Sequence, residues 1–331
     1  MKIFITGGAG YCGSVLSNLL LQLGYEITVF DRFFFNKSSD LSEKINCIKG
    51  DIRDKELLSK SIPGHDILIH LAAIANDASF ELDPKLSTSI NFECFYDLVT
   101  IAKSSGISRF IYASSSSVYG ISNDSNVTEE HPLVPLTLYN KFKGDCEPIL
   151  LSETSDNFCG TIFRPATVYG VSPRMRFDLS VNILTNHAVQ KKRIKVFGGS
   201  QMRPNLHVTD YARAVITLMR ADKSLVNNQI FNVSLENKSI LELAYNVQKI
   251  VSGFYKFNSD SIPIEIVESS DNRSYHINSE KIYRVTGFKP QITLDQGIFE
   301  MCKAIHDGLY PDSFNNDKYF NVKRMLNLGI K

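Results

Sequence analysis

Tyr139 and Lys143 stand four residues apart in Tyr139-Asn140-Lys141-Phe142-Lys143. On a helix that spacing puts both side chains on one face. A free phenol titrates near ~10 and is protonated at neutral pH. A nearby ammonium favours the phenolate, which can take a proton from a hydroxyl and return it. Upstream, Ala113-Ser114-Ser115-Ser116-Ser117-Val118-Tyr119-Gly120 follows a predicted strand. Hydroxyls at the carboxyl end of a strand sit where open α/β sheets bind ligands. One of them can hydrogen-bond an oxygen on which charge develops during hydride transfer.

A second group of residues suits a dinucleotide. Thr6-Gly7-Gly8-Ala9-Gly10-Tyr11-Cys12-Gly13 follows the first predicted strand and opens a helix. Glycines in such a turn permit a tight bend and close backbone approach to a pyrophosphate. The N–H groups and dipole of the helix then face the phosphates. Asp31 ends the second predicted strand, 18 residues after Gly13. A carboxylate there accepts hydrogen bonds from a ribose diol and repels a 2′-phosphate, which favours NAD over NADP. Arg32 pulls the other way, because an adjacent Arg can accommodate that phosphate.

These residues need a framework, and the pattern of short apolar runs supplies one. Lys2–Thr6, Glu26–Asp31, Asn46–Gly50, Asp66–Leu71, Arg109–Ser114 and Cys159–Phe163 are predicted strands, with helical stretches such as Ser14–Leu23 and Phe92–Ser104 between them. Strand–helix alternation predicts an α/β fold with a doubly wound parallel sheet covered on both faces. The pattern changes after Gly170. Residues 1–170 read as the dinucleotide-binding domain, with a return segment at about 204–233 that ends on a late strand, Gln229–Val233. Residues 171–203 and 234–310 read as a smaller, discontinuous α/β lobe, with a polar loop near Ser252–Ile262 and a strand near Ile264–Val267. Residues 311–331 are polar and Asn-rich and read as a loosely attached tail with a short helix.

Composition narrows the setting. The 331 residues carry 36 Lys+Arg against 35 Asp+Glu, a formal net charge of +1. That balance supports neither nucleic-acid nor membrane-surface binding. No apolar run approaches the ~18–20 residues that span a bilayer, and the opening apolar run is too short for a signal-peptide core. Cys12, Cys47, Cys94, Cys146, Cys159 and Cys302 form no CxxC pair. The expectation is reduced thiols, no metal site and a cytoplasmic setting.

In order, the chain carries TGGAGYCG, Asp31, GDIRD (Gly50–Asp54), HLAA (His70–Ala73), Asn91, SSSSVYG (Ser114–Gly120), YNKFK (Tyr139–Lys143) and RPATVYG (Arg164–Gly170). Together these resemble the extended short-chain dehydrogenase/reductase family, in its nucleotide-sugar epimerase/dehydratase branch, from residue 1 to about 300. The resemblance implies a Rossmann domain, an NAD cofactor and a nucleotide-diphosphate sugar substrate. It implies Tyr139 as acid/base, Lys143 as its partner and Ser115 as the catalytic hydroxyl. It places Gly7, Gly10, Tyr11, Cys12, Asp31, Arg32, Asp51, Ile52, Leu71, Ala72, Ala73, Asn91 and Ser114 beside the cofactor, with Asp51 and Ile52 at the adenine. On the substrate side it implies Ser115, Ser116 and Thr167. It also matches Arg203 and Arg273 to diphosphate-holding cations, and Asn182 and Phe197 to positions on the diphosphate and the base. Arg176, in the basic segment Ser172-Pro173-Arg174-Met175-Arg176-Phe177-Asp178, joins them. Family members commonly pair as homodimers, here through segments near Phe92–Ser104 and Leu138–Leu151.

Three departures shape the expected reaction. Ser116 and Ser117 stand where 4,6-dehydratases carry Asp then Glu, and neither serine is a comparable acid or base near neutral pH. The residues therefore favour chemistry that needs only hydride transfer, 4-epimerisation first. A one-way dehydrogenase or ketoreductase comes second, a 4,6-dehydratase third, and a non-catalytic NAD sensor is the reading of a different class. Thr167 replaces the Asn of an NVYG motif. Pro148 falls inside the helix that carries Tyr139, where its ring is expected to clash with the Gly144 carbonyl and bend the helix.

Overall fold

The computed structural model describes residues 1–122, 124–268 and 274–330. Its strands are β1 (Lys2–Thr6), β2 (Glu26–Asp31), β3 (Asn46–Lys49), β4 (Ile67–His70), β5 (Arg109–Ala113), β6 (Cys159–Pro165), β7 (Thr167–Tyr169), β8 (Ile194–Phe197), β9 (Met202–His207), β10 (Gln229–Val233), β11 (Glu236–Ser239) and β12 (Ile264–Val267). Its helices are α1 (Tyr11–Gln22), α2 (Lys55–Ser61), α3 (Asp77–Phe80), α4 (Pro84–Thr88), α5 (Phe95–Ser104), α6 (Leu138–Ser152), α7 (Ser180–Lys191), α8 (Val208–Arg220), α9 (Lys223–Val226), α10 (Ile240–Tyr255), α11 (Glu280–Thr286), α12 (Leu294–His306) and α13 (Asn321–Asn327).

The first six strands and β10 form one parallel sheet in the order β10-β6-β5-β4-β1-β2-β3. Strand alternation explains its two buried faces. Ile3, Ile5, Ile67, Ile69 and Ile111 pack with Leu16 and Leu20 of α1 and with Ala212, Val215 and Met219 of α8. Phe4, Phe30, Leu68, Phe110 and Tyr112 pack on the other side with Leu58 of α2, Leu98 of α5 and Cys146 of α6. From β1 the chain builds outward to β2 and β3, then crosses back to β4 on the other side. The split between β1 and β4 opens a crevice at the strands' carboxyl ends.

The second lobe is built around α7, α10 and α12, whose Leu184, Val247, Val251, Ile298 and Met301 share one core. β8 pairs in parallel with β12, and β7, β9 and β11 form a three-stranded sheet. Thus β9 lies outside the large sheet, although its Leu206 packs in the first core together with Ala212, Val215 and Met219 of α8. Helix α10 extends to Tyr255, into the segment expected as a polar loop, and starts on a Ser239–Glu242 capping box.

Pro148 and the C-terminal segment both bear on how the cleft is held. Helix α6 runs unbroken from Leu138 to Ser152 through Pro148. Its neighbours hold it on both sides of the lost hydrogen bond, with Cys146 and Leu150 in the core and Glu147 in a buried ion pair. The C-terminal segment is not loose. Tyr310 and Tyr319 pack edge-on against Phe177 at 5.6 and 5.4 Å, and α13 seats on the mouth of the crevice. Its polar composition reflects polar anchoring points, not absence of contact.

Behind the crevice, Arg164 of β6 and Glu147 of α6 form a doubly hydrogen-bonded pair, Nε–Oε1 2.9 Å and Nη2–Oε2 2.5 Å, with both side chains 3% exposed. Ser114 Oγ donates to the same Oε1 at 2.6 Å, and Arg164 Nη1 donates to the Tyr119 hydroxyl at 2.7 Å. Removing one partner strands a buried charge, which costs about 3–5 kcal/mol. Glu147→Ala is expected to lower the thermal unfolding midpoint by roughly 10 °C. Glu147→Leu combined with Arg164→Met recovers part of that loss, and a calorimetric double-mutant cycle measures both.

Candidate active site

A single cleft of about 1070 Å³ runs along the carboxyl ends of β1, β2, β4 and β5 and between the two lobes. It is large for one small ligand, since typical ligand sites hold roughly 300–1,000 Å³. Its wall includes Gly7, Gly10, Tyr11, Cys12, Asp31, Arg32, Asp51, Ile52, Leu71, Ala72, Ala73 and Ser114–Ser117. Tyr139, Lys143, Thr167, Arg176, Phe197 and Arg203 complete it from the other side.

The glycine turn is shaped by contact with the protein itself. Gly7 has φ +73°, and a Cβ there would meet the Ala72 backbone nitrogen at 2.6 Å. Gly10 faces the other way, where a Cβ would have only the Gly7 carbonyl oxygen within reach, at 3.1 Å, and would enter the cleft. This leaves open backbone at the start of α1, where a phosphate belongs. Asp31 Oδ2 accepts the Ala9 N–H at 3.1 Å, and Oδ1 accepts the Phe33 N–H at 2.9 Å, so the carboxylate is fixed at the cleft wall. Burial raises its pKa, against these backbone N–H groups. The open turn, the fixed carboxylate and the small Ala72–Ala73 wall fit a dinucleotide.

Arg32 does not present itself to a 2′-phosphate. Its Nη1 is ion-paired with Asp51 Oδ2, and its guanidinium lies 4.7 Å from the Phe34 ring centre. Asp51 also accepts Arg53 Nε at 2.9 Å, Arg53 Nη2 at 2.7 Å and the Arg53 N–H at 3.0 Å. Burial alone would raise the Asp51 pKa, but the Arg53 bonds and the Arg32 charge hold it at about 2. The Asp51 carboxylate is thus committed to two arginines.

Around Tyr139 the geometry differs from the sequence expectation. Lys143 Nζ donates to the Ala113 carbonyl at 2.8 Å and lies 5.1 Å from the Tyr112 ring centre. Burial pulls its pKa down to about 8, against the charges of Cys146 and Glu147. Burial pushes the Tyr139 phenol up to about 12, with Asp77 adding to the push. The strongest positive charge acting on Tyr139 is that of Arg176, and the nearby Asn76 backbone N–H works in the same direction. Lys143 instead pins the end of β5 that carries the serines. Ser115 Oγ lies 2.7 Å from Ser117 Oγ, and Ser117 Oγ donates to Asn140 Oδ1 at 2.5 Å, which ties the serine loop to the first turn of α6. Ser116 is buried on the cleft wall.

Other expected residues serve inside the protein. Asn91 is not on the cleft wall. Its amide accepts the Ile74 N–H at 2.9 Å and donates to the Ile74 carbonyl at 3.0 Å, holding the loop after β4. Asn182 is likewise fully buried behind the wall, correcting its assignment to the diphosphate. It accepts the Gly170 N–H at 3.1 Å and donates to the Tyr11 hydroxyl at 3.0 Å and the Arg176 carbonyl at 2.8 Å. Tyr11 in turn donates its hydroxyl to the Gly170 carbonyl at 2.7 Å, and burial pushes the Cys12 thiol up to about 12. Arg176 pairs with Asp178, Nε–Oδ1 2.8 Å, and Arg203 Nη1 donates to the Met202 carbonyl at 2.9 Å. Phe197 is 55% exposed at the cleft rim. Arg273 lies outside the described residues.

Four residues went unrecognised in the sequence. Asn76 sits at φ 78° and ψ 159°, a strained backbone for a residue other than glycine, and caps α3 by accepting the Ser79 N–H at 2.8 Å. The next residue, Asp77, accepts from Thr137 Oγ1 at 2.6 Å. Asn140 receives the serine chain. Asn321 arrives from the C-terminal segment. The polar run Asn76-Asp77 directly after HLAA was a visible signal. No local signal places Asn321, because its partners are 143 residues or more away in the chain.

The raised Tyr139 pKa has a direct test. In the free protein the phenol stays protonated at neutral pH and ionises only as the pH rises toward 12. Phenolate absorbance of the native chain minus that of Tyr139→Phe should be absent at pH 10 and grow above it. A difference signal already complete below pH 10 contradicts the buried, Asp77-facing environment.

Comparisons with known proteins agree with this geometry. Residues 3–234 match the NAD dependent epimerase/dehydratase family. The chain is 27% identical over 302 residues to a protein named putative UDP-glucose 4-epimerase of Methanocaldococcus jannaschii, covering 89% of this chain and 95% of that one. It is 28% identical over 322 residues to a UDP-N-acetyl-alpha-D-glucosaminuronate decarboxylase of Bacillus cytotoxicus, covering 90% and 96%. The fold superposes with TM-score 0.82 on the UDP-glucose 4-epimerase of Thermotoga maritima in complex with UDP-glucose, at 23% identity and covering 94% and 100%. Fold, cleft and matched length agree, and the chain belongs to the NAD dependent epimerase/dehydratase family.

Proposed function

We propose that the protein is an NAD-dependent nucleotide-sugar epimerase that inverts one carbinol, at C4 of a hexose, with no net oxidation. The observation that carries this reading is the make-up of the loop beside Tyr139. Ser115 and Ser117 form a hydroxyl chain ending on Asn140, and Ser116 is buried, so this loop offers hydrogen bonds but no carboxyl group. Hydride chemistry at a single carbon needs one group that takes and returns a proton, and no second acid on the serine loop.

The chemistry that nicotinamide supplies when bound is acceptance and return of a hydride. The protein's own part is then proton handling and orientation. Tyr139 Oη takes the proton of the reacting hydroxyl and gives it back. The Arg176 charge and the nearby Asn76 N–H favour the phenolate. The Ser115 hydroxyl, held by Ser117, hydrogen-bonds the same substrate oxygen. Gly7, Gly10, Tyr11, Cys12, Asp31, Leu71, Ala72, Ala73 and Ser114 would line the dinucleotide, and Arg203, Thr167, Phe197 and Arg176 the nucleotide sugar.

A second reading, elimination of water, has one observation in its favour. Asp77 brings a carboxylate to the cleft wall close enough to raise the Tyr139 pKa. The two reactions leave different isotopic marks. With NAD and a panel of UDP-, dTDP-, GDP- and CDP-hexoses in D2O, the epimerase reading expects a 4-epimer with no deuterium on carbon. Tyr139→Phe should lower turnover by at least about 1,000-fold, within the range of general acid–base effects, and leave NADH binding intact. Deuterium at C6 with loss of water supports elimination, and stoichiometric NADH release supports a dehydrogenase.

Homodimerisation through α5 and α6 is part of this proposal. Tyr96 on α5 is 54% exposed and Leu138 on α6 is 42% exposed, leaving apolar surface on adjacent helices. Sedimentation velocity should give a dimer for the native chain and a monomer for Tyr96→Glu.

A further inference from the structure

Arg174 lines the cleft and forms no ion pair among the described residues. Its neighbour Arg176 is neutralised by Asp178. Arg174 is only 3% exposed, yet its Nε makes no hydrogen bond. The guanidinium lies 4.0 Å from the Phe35 ring centre, and its Nη2 donates to Asn321 Oδ1. A buried guanidinium without an anion is costly. Its planar fork suits phosphate oxygens. Burial and the Arg176 charge bring its pKa down to about 9, against the more distant carboxylates of Asp178 and Asp31.

Its surroundings say which phosphate. Arg174 lies on the same cleft wall as Gly10, Tyr11 and Asp31, and its charge acts on Cys12 and Asp31. Phe35 belongs to the loop that follows Asp31. All of these belong to the dinucleotide turn and its ribose carboxylate, whereas Arg203 and Phe197 face the cleft from the second lobe. Asn321 also donates Nδ2 to the Ala75 carbonyl at 3.3 Å, and its N–H to Asp178 Oδ2 at 2.9 Å. Three residues on, Arg324 Nε donates to the Phe34 carbonyl at 3.0 Å. The C-terminal segment therefore ties the loops after β2 and β4 to the second lobe, at the edge of the cleft.

We propose that Arg174, oriented by Phe35 and Asn321, grips the diphosphate of the bound dinucleotide, and that the segment carrying Asn321 and Arg324 straps that dinucleotide into the cleft through turnover. This rests on dinucleotide binding in the cleft, and it suits a reaction in which the hydride taken must be given back before the cofactor leaves.

The test uses the full-length protein without sugar, so that its outcome is independent of which reaction is catalysed. NADH affinity is read by fluorescence titration, and NADH release from the loaded protein by displacement with excess NAD. Calorimetry then gives affinities for ADP-ribose, adenosine and UDP. Arg174→Gln should weaken NADH and ADP-ribose by 10-fold or more and speed NADH release, with adenosine and UDP unchanged. Arg174→Lys should fall between, and Asn321→Ala should speed release 3-fold or more. The two milder variants carry the test if Arg174→Gln does not fold. Equal loss for adenosine would reduce Arg174 to a structural role. Loss confined to UDP would move it to the substrate diphosphate, and unchanged release in every variant would overturn the strap.

Discussion

The site depends on one buried ion pair. Arg164 and Glu147 join β6 to α6 behind the cleft, out of water, where leaving either charge alone is prohibitive. The pair is doubly hydrogen-bonded, so it fixes orientation as well as distance. Ser114 donates into it, Tyr119 accepts from it, and Tyr119 donates onward to Asn232 of β10. The strand end with the serines, the helix with Tyr139 and Lys143, and the edge strand that closes the sheet are thus held in one buried polar network. Such a network is stable only when every member is satisfied, which makes the geometry in front of it effectively all-or-none.

In front of the network, charge is distributed unevenly. Arg32 and Arg53 are both spent on Asp51, and Arg176 on Asp178. Lys143 is spent on a backbone carbonyl. Tyr139 is left in an environment that favours the neutral phenol, with Asp77 opposing its ionisation and Arg176 partly offsetting it. The phenol therefore waits as an acid in the free protein. A positive charge arriving in the cleft would shift it toward the phenolate.

The second lobe and the C-terminal segment supply what the Rossmann half lacks. Tyr11, at the start of α1, is gripped by Gly170 and Asn182, so the glycine turn and the second lobe are joined at the cleft. Asn321 and Arg324 add a third contact from the far end of the chain. Each of these contacts closes a long loop, whose entropy the packing of the folded chain must offset. The cleft is then completed only when the whole chain is folded.

The sequence by itself determined the fold class and the local chemistry. Runs such as Lys2–Thr6 and Arg109–Ala113 are apolar on both faces, which only a covered parallel strand can use, and they became β1 and β5. The glycine turn, Asp31, the serine loop and the Tyr139–Lys143 spacing were legible because each is marked by residue types at a fixed spacing within a short stretch of chain. Tertiary structure decided everything set by who faces whom. Lys143 turned to the Ala113 carbonyl and left Arg176 to face Tyr139. Asn91 and Asn182 were drawn into loop-holding bonds because a buried amide must find donors and acceptors. Pro148 was absorbed by an otherwise well-held helix. The polar tail, which looked loose for want of an apolar face, was anchored by Tyr310, Tyr319 and Asn321. Local spacing carries no information about partners more than a hundred residues away, and there burial and hydrogen-bond satisfaction in the folded chain made the choice.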